Sequence, residues 1–141
     1  MDVIQEVRRA VVAIVNGDAT LATITGHASP QITMWQDLRL DGALPILAYQ
    51  VVVLGQTPAD RDSRTGLLQF SAFATGNGAQ ATIEAMLERV EQILTALALD
   101  GNGVDGAPVR FIRREEPEDR DGSRGVRRAD LDVELTLTKA A

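Results

Sequence analysis

Near the end of the chain, Leu131, Val133, Leu135 and Leu137 alternate with Asp130, Asp132, Glu134, Thr136 and Thr138. A period of two held this long puts every apolar side chain on one face of a strand and every polar one on the other. Such a strand belongs to a sheet with one covered and one wet face, which is the habit of antiparallel rather than parallel sheets. The same alternation recurs in Leu68, Phe70, Ala72 and Ala74 against Gln69, Ser71 and Phe73. Ile46 to Leu54, entered through Pro45, is rich in β-formers and is expected to be a central strand. Val109, Phe111 and Ile112 begin another strand, and Ile32 to Trp35 is a short candidate.

Helical spacing appears in two places. After Asp2, a potential cap, Val3, Ile4, Val7, Val11, Ile14 and Val15 recur at three and four residues, and Gly17 is expected to end the helix in the left-handed region. Asp18 caps a further turn or two, closed by Gly26. From Ala79 onward Ile83, Met86, Leu87, Val90, Ile93, Leu94 and Leu97 form one apolar stripe, opposed by Glu84, Glu88, Arg89 and Gln92. The order is helix, short helix, short strand, hairpin, helix, hairpin. It predicts a single α+β domain over residues 1–141, with a mainly antiparallel or mixed sheet of four to five strands and two main helices on one face. Two charged connections, near residues 56–66 and 115–125, are expected at the hairpin tips, and the order allows both tips to share one end of the sheet.

Functional chemistry is sparse. The 141 residues include no cysteine, which removes disulfides, thiolate nucleophiles and sulfur-ligated metals. No apolar run approaches the roughly 20 residues of a membrane span, and Asp2 and Glu6 stand where a secretory signal wants basic residues, so the chain reads as soluble and unexported. The net charge of −6 opposes general binding to nucleic acid. Lys139 is the only lysine among the 14 basic residues, a bias toward Arg that suits bidentate contacts at interfaces and equally reflects nucleotide composition. His27, the only histidine, lies in a glycine- and proline-containing loop without a serine motif and is expected to be solvated. Trp35 and Tyr49 are expected at the core edge.

Gly76-Asn77-Gly78-Ala79-Gln80-Ala81 satisfies the G-x-G-x-x-A form of the dinucleotide fingerprint. Its context argues for a plain strand-to-helix turn: the preceding strand has a wet face, and no acidic residue stands at the end of a following strand at the required spacing. The carboxylates Asp60, Asp62, Glu115, Glu116, Glu118, Asp119 and Asp121 are interleaved with Arg61, Arg64, Arg120 and Arg124 and lack a calcium-loop spacing. No catalytic, cofactor or metal residue is therefore assigned. The mixed-charge segments instead supply interface candidates, Asp60, Arg61, Asp62, Arg64, Arg120, Asp121 and Arg124, for which solvated loops are the competing reading.

The N-terminal helix followed by GDATLATITG, then ALPILAYQVVVLGQ, DRDSRTG, LLQFSAFATGNG leading into AQATIEAMLERVEQILTAL, and a closing GVRRADLDVELTLT cover nearly the whole chain. In this order they resemble the small tail-component family of long-tailed bacteriophages and prophages that includes tail terminator, or tail completion, proteins. The segment between Gly26 and Pro45 and that from Glu115 to Gly125 are longer than the family pattern. The resemblance implies a non-enzymatic virion protein without a cofactor, made in the host cytoplasm and located at the head-proximal end of the tail. It implies a ring, usually a hexamer, that caps the tail tube, stops its growth and meets the head connector. DNA would pass through such a ring without specific binding. Two alternatives are a neck or head-completion protein of the same virion and a small nucleotide-binding domain built on the glycine turn.

Overall fold

A computed structural model describes residues 3–27, 32–38, 45–57, 60–97, 104–115 and 126–139. Its elements are α1 (Val3–Asn16), α2 (Ala19–Thr25), β1 (Thr33–Met34), a 3-10 turn (Trp35–Asp37), β2 (Ile46–Thr57), β3 (Asp60–Thr75), α3 (Ala79–Leu97), β4 (Val104–Glu115) and β5 (Val126–Lys139). The five strands form one sheet in the order β1-β2-β3-β5-β4, with only the two-residue β1 parallel to its neighbour. This is the α+β, mainly antiparallel arrangement expected from the alternating strands.

One face of the sheet carries the core. Leu47, Tyr49 and Val51 of β2, Leu68, Phe70, Ala72 and Ala74 of β3, and Ala129, Leu131, Val133 and Leu135 of β5 are buried there. Against them pack Val7, Ala10, Val11 and Val15 of α1 and the α3 stripe Ile83, Met86, Leu87, Val90, Ile93 and Leu94. Burying these aliphatic side chains is the main favourable term in the fold, at about 1.5–3 kcal/mol for each large one.

Local chemistry sets the helix ends. The Asp18 carboxylate accepts a hydrogen bond from the Leu21 N–H (2.9 Å) and so caps α2, whose other end closes on Gly26 at φ 75° with its N–H bonded to the Ala22 carbonyl. Gly17, expected in the left-handed region, is not among the positive-φ glycines. It is small for a different reason, since a Cβ there would stand 3.0 Å from the Ala13 carbonyl oxygen. Gly76 (φ 83°) and Gly78 (φ 87°) turn the chain from β3 into α3, where the Thr82 N–H bonds the Gly78 carbonyl at 3.0 Å.

Three further expectations change. The charged segment Asp60 to Gly66 is strand rather than loop, because it is laddered on both sides: Arg64 lies between Gln56 of β2 and Leu137 of β5. Paired neighbours override the turn preference of its residues. Likewise β4 starts at Val104, ahead of the expected start at Val109, and its Pro108 is tolerated because β4 is an edge strand with a register shift between Pro108 and Arg110. The third change is the placement of the tips. Ser63 is level with Thr138 and Thr75 with Val126, so the β2–β3 tip and the β4–β5 connection lie at opposite ends of the sheet, not at one.

Helix α3 leaves from the Thr75 end and its 19 residues extend about 28 Å at 1.5 Å per residue. That length matches roughly eight or nine strand residues, so α3 stops near the level of Leu67 and the first seven residues of β3, Asp60 to Gly66, continue past it.

Candidate interaction surface

Helices α1 and α3 pack on one sheet face, and the opposite face carries a polar array. Strand register stacks it in rows. Ala48, Ser71, Asp130 and Arg114 form one row, and Gln50, Gln69, Asp132 and Ile112 the next; Val52, Leu67 and Glu134 follow. Across the second row Gln50 donates from Nε2 to Gln69 Oε1, and Gln69 donates from Nε2 to Asp132 Oδ1 at 3.2 Å. Arg114 Nη2 completes the line on the same Asp132 oxygen at 3.0 Å, so side-chain hydrogen bonds link four strands.

Arg128 holds Asp130 with two hydrogen bonds, Nε to Oδ1 (3.0 Å) and Nη2 to Oδ2 (3.1 Å). Its guanidinium also lies 4.7 Å from the Trp35 ring centroid and 5.6 Å from that of Phe73, the two rings being 6.2 Å apart. A fixed fork on a carboxylate beneath two aromatic rings is a geometry Arg can fill and Lys cannot. The Asp130 side chain is only 6% exposed, whereas Arg114, 3.8 Å from it, is 53% exposed. Asp130 and Asp132 are thus answered by Arg114 and Arg128 on the same face, which makes a stiff, largely self-compensated platform suited to contacts with another protein. Among the described residues no group of three His, Asp or Glu side chains could hold a metal ion.

Of the sequence-predicted interface residues, Asp60, Arg61, Asp62 and Arg64 lie in β3 beyond the reach of α3. Arg120, Asp121 and Arg124 lie outside the described residues, as do Glu116, Glu118 and Asp119. Glu115 and Val126, the described residues that flank the second set, stand at the end of the sheet opposite Asp60. His27 is not a freely solvated loop residue: it is half-buried, and its ring Nε2 lies 3.0 Å from the Pro45 carbonyl oxygen. A carbonyl only accepts, so Nε2 carries the proton and ties the end of α2 to the start of β2. Tyr49 is buried in the core, and burial pushes its phenol above the ordinary value. Trp35 sits instead at the rim of the polar face.

The glycine turn follows a strand whose two neighbours, β2 and β5, are both antiparallel to it. A dinucleotide site uses adjacent parallel strands.

No family model matches the sequence, and no curated protein matches it. The fold does have solved counterparts. One is a chain of a structure described as the virion of a native gene transfer agent (GTA) particle, which superimposes with a TM-score of 0.61 over 94% of each chain at 19% identity. This fold occurs in a virion. The likeness spans the whole arrangement of sheet and helices, while at that identity it carries no residue-level correspondence.

Sequence reasoning did not single out Arg128, Asp130, Gln69 or Arg114. The wet-face alternation of β3 and β5 was a signal for their side of the sheet, but their pairing depends on a register that joins residues up to 63 positions apart.

Proposed function

We propose that the chain is a structural component of a phage-like particle, and within it the tail terminator: a ring on the last ring of the tail tube that stops polymerisation and presents a surface to the head connector. The observation that carries the reading is the two-way 94% coverage by a virion chain. A near full-length match is what a part with the same architectural task would give, and the order of sequence segments resembling tail terminators narrows the task. The acidic balance suits a ring through which DNA passes without being held, because like charge gives no counterion release. The partners on this reading are other copies of the chain, the tail tube protein and the head connector. The reading assigns no enzymatic chemistry to the chain.

In this reading the part of β3 that outruns α3, with Asp60, Arg61, Asp62 and Arg64, contacts a neighbouring copy or the tube. Charge reversal of Arg61 and Arg64 to Glu is then expected to leave the chain folded and to abolish capping. Cryo-electron microscopy of particles carrying a tagged copy tests the location directly. Density at the junction of tail tube and connector supports the terminator; density within the neck, separated from the tube, assigns the chain to head completion instead.

A further inference from the structure

The sheet has two different open edges. On one side β1 covers only Ala48 and Tyr49 of β2, and from Gln50 onward no other described strand pairs with that edge. On the other side β4 pairs with β5 alone. Each uncovered edge presents backbone N–H and C=O groups that are a template for another strand. The directions also match. β2 is antiparallel to β3, β3 to β5 and β5 to β4, so β2 and β4 run in opposite directions within one chain. A second copy that continues the same sheet therefore meets β4 with its β2 in the antiparallel sense, the more stable ladder.

The side chains at these edges fit the same operation. Val52 is the one large apolar side chain left exposed among the described residues, at 40%. It lies on β2 on the helix-free face, and Ile112, half-buried, lies on the same face of β4 one row away. A stagger of two residues keeps every side chain on its face and sets the two β-branched residues opposite each other, the kind of cross-strand pair that stabilises a ladder.

We propose that copies of this chain join edge to edge, β4 of one pairing antiparallel with β2 of the next and Ile112 packing against Val52 of the partner subunit. The joined surfaces differ, so the contact is heterologous and propagates until it closes into a ring. The proposal rests on the ring-forming reading above and names the surface that would build the ring.

The chain has no cysteine, so disulfide trapping is clean. Within one chain β2 and β4 are three strand spacings apart, about 14 Å, well beyond the ~7 Å limit for a disulfide, and any bond must join two copies. The double variant Val52→Cys/Ile112→Cys is oxidised in solution and on tails assembled with it, then run on a non-reducing gel, with the pairings of positions 50 and 52 against 110 and 112 as a register scan. The expected result is a ladder of covalent multimers that ends at the ring number, with each single variant remaining monomeric on the gel. Val52→Lys is expected to lose the oligomer in native mass spectrometry while its circular dichroism spectrum stays that of the folded chain. Covalent dimers from a single variant would overturn the proposal in favour of like edges pairing. Closed oligomers in native mass spectrometry with no cross-link at any pairing would overturn it while leaving the ring reading intact. A chain that is monomeric in solution and on tails, without cross-links, would overturn both.

Discussion

Arg89 on α3 grips Asp18, the cap of α2, with Nη2 on Oδ1 at 2.7 Å and Nε on Oδ2 at 3.0 Å, while Oδ2 also accepts the Leu21 N–H. One carboxylate therefore ends a helix and fastens it to another. The hydrogen bonds from Arg89, followed by that from Leu21 and against the opposing effect of burial, hold the Asp18 carboxyl below its ordinary value of 3.8.

The two roles separate by substitution. Asp18→Ala removes the cap and is expected to cost about 1 kcal/mol from that loss alone. Asp18→Asn keeps a good cap and removes the charge. Because the native carboxyl binds its proton less readily than the unfolded one, its contribution is complete above the unfolded value and fades as pH falls through the lower native value. The urea midpoint of the native chain is expected to exceed that of Asp18→Asn at pH 7, with the gap closing between about pH 5 and pH 2. A gap that is constant with pH would show that the charge plays no part.

Gly78 sits at φ 87°, and a Cβ placed there meets nothing within 4 Å. The cost of a side chain is therefore conformational and not steric crowding. Gly78→Ala is expected to destabilise by about 1 kcal/mol, and Gly78→Asn by less, since Asn tolerates the left-handed region. Denaturation midpoints in the order Gly, Asn, Ala check this; equal midpoints for Asn and Ala would not fit.

Trp35 is the only tryptophan, so its emission reports on Arg128 without interference. Arg128→Ala removes both hydrogen bonds from the buried Asp130 and uncovers the indole, with an expected loss of about 1–3 kcal/mol and a red shift of the emission. Arg128→Lys keeps a charge but not the fork, and an intermediate result is expected.

Periodicity made the architecture legible: the α3 stripe and the alternation of Leu131, Val133 and Leu135 faced the core as read. Asp18 and Gly26 marked the ends of α2 by their residue type alone. Sequence could not show that Asp60 to Gly66 is strand, because its residues favour turns and only the ladders to β2 and β5 hold it extended. The direction of those ladders also decides that the hairpin tips lie at opposite ends. The polar face was half legible: its wet side was visible in Gln69 and Asp132, but contact between them required knowing that β3 pairs with β5 across the intervening helix and hairpin strand.

The length distribution of tails, measured by electron microscopy of particles assembled with and without this chain, tests the terminator reading most directly. Tails of one uniform length in its presence, and overlong tails of scattered length in its absence, are the expected result. Tails of the same uniform length in both preparations would contradict the account.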